Sequence, residues 1–299
     1  MKISRRGLLK LAGVAGSAAV AGSSRPAHAA RGEGLEESAL LIDTTRCVGC
    51  RGCEVACSEV NALPPPERCG DKAVFDRKRV SDTEHFTLVN RWTDPGDPQK
   101  SRFVKTQCMH CVEPACASAC LARALDKTPE GPVVYHPERC LGCRYCMVAC
   151  PFEVPRFEYD KAAPVIRKCQ FCFERQKQGK QPACSSVCPS GALEFGKRGE
   201  LLEAARARVY QNPDKYLPHV YGEHEVGGTN VLYLADMRFK DLGLREDLGD
   251  KGYPEYTKGA LGVVPFVMTL WPPLLMGLYT FARSRNAEPS RGEAEETND

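Results

Sequence analysis

Cys140-Leu141-Gly142-Cys143-Arg144-Tyr145-Cys146-Met147-Val148-Ala149-Cys150-Pro151 places four cysteines with two, two and three residues between them and closes on proline. That spacing lets one tight loop wrap three corners of an iron–sulfur cube, while the fourth cysteine, further along, points away and reaches a second cube. Cys47, Cys50, Cys53 and Cys57 repeat it. Cys108, Cys111, Cys116 and Cys120, and Cys169, Cys172, Cys184 and Cys188, are the same motif with residues inserted before the third cysteine. Sixteen of the 17 cysteines fall into these quartets, which implies four [4Fe-4S] clusters in two ferredoxin-like modules. Eight disulfides would use the same sixteen thiols, but cysteines two residues apart make poor bridges. Zinc takes two pairs of ligands and has no use for a third cysteine at the same spacing, and no C-x-x-C-H marks haem attachment. Quartets can share ligands as neighbours or in nested fashion. The gaps 121–139 and 151–168 are too alike for spacing to decide.

The 299 residues are 42% hydrophobic and 26% charged, a globular composition that excludes disorder and a polytopic membrane protein. The net charge of +3 comes from the N-terminus: without residues 1–29 there remain 36 basic and 38 acidic side chains. No nucleic-acid partner is implied. Ser4-Arg5-Arg6-Gly7-Leu8-Leu9-Lys10 precedes a weakly apolar run, and Ala27-His28-Ala29 fits a cleavage site, so residues 1–29 read as a twin-arginine signal peptide. That route carries folded proteins and points to cofactor-loaded cysteines rather than disulfides. Residues 259–282 carry no charge and suit a single transmembrane anchor, despite Pro265, Pro272 and Pro273. The alternative is a helix buried in the soluble body. Arg283 and Arg285 would then lie on the cytoplasmic side and the body on the periplasmic side. The acidic tail 286–299 reads as disordered.

The expected fold is α+β: a four-cluster ferredoxin-like domain over 40–200 with a β-rich insertion at 61–107, an extension at 201–257, and the C-terminal transmembrane helix. Within the insertion, 86–92 and 102–106 read as a strand pair broken by Asp94-Pro95-Gly96-Asp97-Pro98. Cys69, without a C-x-x-C partner, reads as a structural or free thiol. Beyond the last quartet, 192–195 reads as a strand. Residues 200–210 read as a helix with Leu201, Ala205 and Val209 facing the cluster modules. His110, between two cysteines of a full quartet, reads as a neighbour of the site or a surface residue, and His219 and His224 as surface residues. No phosphate loop and no nucleophilic triad is present. The chain itself thus performs no bond chemistry.

Arg46-Cys47-Val48-Gly49-Cys50, Gln107-Cys108-Met109-His110-Cys111, the stretch Cys143 to Phe152 and Tyr221-Gly222-Glu223-His224 resemble the four-cluster iron–sulfur subunits of membrane-bound respiratory oxidoreductases. The hydrogenase-2 branch is the nearer in pattern. The formate dehydrogenase beta subunits are similar around Leu41-Ile42-Asp43 and Cys57-Ser58-Glu59. Leu121 departs from the proline usual there. The resemblance implies nested ligand sets: Cys47, Cys50, Cys53 with Cys188; Cys57 with Cys169, Cys172, Cys184; Cys108, Cys111, Cys116 with Cys150; Cys120 with Cys140, Cys143, Cys146. It implies electron transfer between catalytic hydrogenase subunits, or a formate dehydrogenase catalytic subunit, and an integral membrane quinone-reactive subunit. Four cubes with their thiolates add about −8 of charge, and Arg46, Arg51, Arg144, Arg167 and Lys168 are expected to offset it.

Overall fold

The computed structural model describes residues 34–67 and 69–286. The twin-arginine segment, its cleavage site and the tail beyond 286 lie outside the described residues. In chain order come β1 (Ser38–Asp43), α1 (Gly52–Val60), β2 (Leu88–Asp94), β3 (Asp97–Thr106), α2 (Ala115–Ser118), β4 (Leu125–Lys127), β5 (Val133–Tyr135) and α3 (Tyr145–Ala149). There follow β6 (Arg156–Phe157), β7 (Ile166–Arg167), α4 (Phe173–Lys177), α5 (Ala183–Ser186), β8 (Leu193–Lys197), α6 (Arg198–Gln211), β9 (Val231–Leu234) and α7 (Tyr253–Asn286).

Ala39, Leu40, Leu41 and Ile42 are fully buried because β1 is the middle strand of a sheet ordered β8-β1-β9, antiparallel to β8 and parallel to β9. Successive strand side chains face opposite ways, so β1 serves two cores. Ala39 and Leu41, with Leu232 and Leu234, meet Leu201, Leu202 and Ala205 of α6. Leu40 and Ile42, with Val231 and Tyr233, meet Cys53, Met109, Phe171 and Cys184. The sheet therefore separates α6 from the cysteine loops. This corrects the expected packing of α6 against the cluster modules: Leu201 and Ala205 do face inward, but onto the sheet.

The insertion forms the expected hairpin, with Val89 opposite Lys105 and Leu88 opposite Thr106. Its turn is shorter than expected. Asp94 Oδ1 accepts from the Gly96 amide at 2.9 Å, so β3 already begins at Asp97 and includes Pro98. Proline is tolerated there because a two-stranded ribbon has only edges. Glu54 on α1 fastens the hairpin, accepting the Val89 amide at 2.6 Å and the Arg79 Nη2 at 2.7 Å.

The helix α7 runs unbroken through Pro265, Pro272 and Pro273 and starts before the expected 259. Tyr253–Ser284 is long and apolar enough to cross a membrane, with mean hydropathy 1.7 in its most apolar window and none of that window buried. A helix packed into the soluble body is thereby ruled out. Exposed Leu270, Trp271, Leu274 and Phe281 would be costly in water.

In the extension, His219 and His224 are exposed as expected, but His219 is not idle: its Nε2 lies 2.6 Å from Glu225 Oε1. That hydrogen bond raises the imidazole above its ordinary range. A group raised on folding stabilises fully below its unfolded value and loses this as pH rises through the folded one. Thermal stability is therefore expected to fall as pH climbs past neutrality. Melting curves of wild type and His219→Gln should converge at alkaline pH and diverge near pH 6, a value on the order of the unperturbed histidine range.

Candidate iron–sulfur centres

Each quartet begins with the same backbone device. The residue just before its second cysteine lies in the left-handed region: Gly49 (φ 69°), His110 (φ 46°), Gly142 (φ 69°) and Phe171 (φ 59°). This turn swings the residue's amide back toward the first sulfur. Gly142 N donates to Cys140 Sγ at 3.4 Å and Phe171 N to Cys169 Sγ at 3.3 Å, and the Gly49 amide does the same for Cys47. Such N–H···S bonds stabilise a thiolate and suit cluster ligation. Glycine adopts this conformation without strain. At Gly49 a Cβ would also lie 2.6 Å from the Phe103 ring. His110 and Phe171 hold the same position in the second and fourth quartets. Their rings stack at 4.8 Å, and the imidazole is fully buried, its Nδ1 accepting the Val133 amide at 2.9 Å. His110 thus props the loops, as the site-neighbour reading expected and the surface reading did not. Burial, reinforced by Lys168, Lys127 and Lys105, holds it well below its ordinary range, so it is neutral.

All 17 cysteines are free thiols. Burial is the main cause that raises most of them, Cys57 to about 12 and Cys146 to about 11. Neighbouring thiols add to it, and those that act on Cys47, Cys57, Cys111 and Cys146 make four groups that together take in the sixteen. Cys47 has Cys188, Cys50 and Cys53 beside it. Cys57 has Cys169, Cys172 and Cys184. Cys111 has Cys108, Cys116 and Cys150. Cys146 has Cys120, Cys140 and Cys143. Thiol charges also act across these groups: Cys184 acts on Cys53 more strongly than Cys47 does, Cys108 acts on Cys169, and Cys146 on Cys116. These charges link the groups in one file, first to second, second to third and third to fourth, by influence rather than by any sulfur–sulfur contact. Among the described residues, no three cysteine, histidine or acidic side chains converge where one ion could sit. Thiols that hold separate corners of a cube need not converge. Sixteen free thiols, amides aimed at sulfur and an apolar surround fit iron–sulfur clusters. Cys69 is exposed, outside every group.

The expected cations are mostly committed elsewhere. Arg51 is buried between Glu54 and Glu67, each at 3.0 Å; Arg46 pairs with Glu194 at 2.8 Å; Arg167 faces Glu158 at 3.5 Å. Arg144 lies over the Phe157 and Tyr159 rings. Of the five, Lys168 is the buried cation with no carboxylate partner among the described residues, as expected of a counter-charge, its Nζ donating to the Val133 and Cys169 carbonyls. Two further lysines share the interior, Lys105 and Lys127, and sequence reasoning missed both. The available signal was a lysine at the inward position of a short strand, Leu125-Asp126-Lys127 being buried, exposed, buried.

Known proteins agree with this geometry. Residues 99–198 match the family model of the 4Fe-4S dicluster domain. The chain is 36% identical over 237 residues to the hydrogenase-2 operon protein HybA of Escherichia coli O157:H7, covering 69% of this chain and 72% of that protein. It belongs to that family of iron–sulfur electron-transfer subunits. To the iron–sulfur subunit of nitrate-inducible formate dehydrogenase of Escherichia coli K12, another family member, it is 37% identical over 234 residues, 75% of this chain and 78% of that one. A protein of Nitratidesulfovibrio vulgaris shares 46% over 291 residues, 96% of this chain and 78% of its own length.

Proposed function

We propose that this family member carries four [4Fe-4S] clusters in two dicluster modules and serves a periplasm-facing, membrane-bound hydrogenase. The first cluster is held by Cys47, Cys50, Cys53 and Cys188, the second by Cys57, Cys169, Cys172 and Cys184. Cys108, Cys111, Cys116 and Cys150 hold the third, and Cys120, Cys140, Cys143 and Cys146 the fourth. What supports the reading is the set of four thiol groups, each linked to the next by the charge of its cysteines. Bound clusters supply one-electron exchange. The chain's part is to hold them in line, satisfy their sulfurs with amides and keep water away. One end of the file faces the catalytic subunits and the other an integral membrane quinone-reactive subunit. The helix α7 anchors the body, which reaches the periplasm through the twin-arginine segment at residues 4–10. A formate dehydrogenase partner, with molybdenum or tungsten, is the second reading, favoured by the equal likeness to that subunit.

Anaerobic purification of the tagged chain from solubilised membranes, with metals counted in the same sample, tests both. About sixteen irons per chain with nickel is expected. The same iron with molybdenum or tungsten moves the assignment to formate dehydrogenase, and little iron with no partner refutes both.

A further inference from the structure

Lys105 sits on β3 opposite Val89, 1% exposed, with its carbonyl held by Tyr233 Oη at 2.9 Å. Its ammonium donates to Gln107 Oε1, and among the described residues no carboxylate pairs with it. The contrast with Lys127 is direct, since that equally buried ammonium has Glu37 at 2.6 Å. A buried charge without a counter-ion is strongly disfavoured, so Lys105 needs negative charge from some other source. Its strand partner Val89, its neighbour Val104 and Tyr233, which holds its carbonyl, pack in one core with Cys53 and Cys184, and the thiols Cys184, Cys53, Cys169 and Cys57 act on its ammonium. It acts in turn on Cys47 and Cys172. These six belong to the first two groups of the file. The leading charges on Cys111, Cys116, Cys146 and Cys150 do not include Lys105.

We propose that Lys105 is the shared counter-charge of the first two iron–sulfur centres and sets how readily both accept an electron, an inference that rests on the four-centre reading. A fixed cation in a low-dielectric surround favours the more negative, reduced form of each centre beside it. One lysine placed between two centres therefore raises both potentials together and keeps neighbouring steps of the file level. Neither centre can then be adjusted through this residue alone. Lys105 is a positioning charge, not a ligand.

The test uses the full complex carrying Lys105→Met, Lys105→Gln or Lys105→Arg, with iron counting and potentiometric titration followed by electron paramagnetic resonance. Signals are assigned to the first two centres by their loss in Cys53→Ala and Cys57→Ala. In both neutral variants, with iron complete, the oxidised-to-reduced ratio of these two centres is expected to rise about tenfold at fixed ambient potential, about 59 mV for a one-electron couple. The other two centres should stay put, and Lys105→Arg should follow wild type. Complete iron with unmoved potentials overturns the proposal, as does a shift confined to the other centres. Iron loss from both neutral variants but not from Lys105→Arg supports it, because charge alone then decides filling. Loss in all three assigns Lys105 to packing and overturns it. A wild type far short of sixteen irons refutes the four-centre reading instead.

Discussion

Cys184→Ala is expected to remove about four of about sixteen irons and abolish one reduced-cluster signal, leaving the other three centres in place. The sharper form of this result compares it with two changes elsewhere in the chain. Cys57→Ala should erase the same signal, although the two cysteines belong to the first and fourth quartets. Cys53→Ala, a single helical turn from Cys57 on α1, should erase a different one and share it with Cys188→Ala. Cys53 and Cys57 both project from Gly52–Val60, and Cys184 acts on both, but Cys47 acts on Cys53 and Cys172 on Cys57, so the proposed sets divide them. Iron and sulfide counts with low-temperature spectra of the reduced protein check it. Were Cys53→Ala and Cys57→Ala to erase the same signal, each quartet would hold its own cube and the nested sets would be wrong.

Glu54→Ala should cost about 3–5 kcal/mol, the usual effect of stripping one partner from a buried ion pair. Glu54 is 1% exposed at its side chain and accepts from Arg51 Nε and Nη2, from both terminal nitrogens of Arg79 and from the Val89 amide. Without it Arg51 and Arg79 still have Glu67, which is 40% exposed, and Arg79 the Val89 carbonyl at 2.9 Å, but the Val89 amide loses its acceptor. Arg51 also opens α1 in the left-handed conformation, a strained position for a side chain, so its guanidinium contacts hold a costly backbone in place. The change should lower the thermal midpoint at which iron–sulfur absorbance is lost and open the β2–β3 hairpin to protease. Glu67→Ala, removing a carboxylate half in solvent, should cost less than about 1 kcal/mol. Equal losses from the two would mean that the hairpin is held by its apolar face alone.

The quartets were legible because ligand spacing is a local property of the chain. The grouping of their sulfurs was not, since it depends on how α1 meets α5 and α2 meets α3, contacts between segments far apart in sequence. The central strand escaped notice for a related reason. Leu40-Leu41-Ile42 is a short apolar run whose periodicity fits strand or helix equally, and its partners lie at Leu193–Lys197 and Val231–Leu234. Composition argued for basic residues near the thiols, and adjacency in sequence found Lys168, which acts on Cys116 and Cys150, but not Lys105 or Lys127. Arg46, Arg51 and Arg167 stand next to cysteines along the chain but turn to carboxylates, while Lys105 and Lys127 reach the interior from strands. The α7 span was clear from hydropathy alone, because an apolar stretch needs no tertiary partner to be recognised.

The proposed ligand set of Cys47 with Cys188, whose charge acts on it, imposes a timetable on biosynthesis. All eight thiols around Cys111 and Cys146 have been made once the ribosome passes Cys150. Those around Cys47 and Cys57 wait for Cys184 and Cys188, with their earliest members already exposed for more than a hundred codons. During that interval the early cysteines, Cys47 to Cys57, are open to oxidation and to stray metal. On the proposed ligand sets, a nascent chain arrested between Cys150 and Cys169 would accordingly have every ligand of the third and fourth clusters and only Cys47, Cys50, Cys53 and Cys57 of the first two.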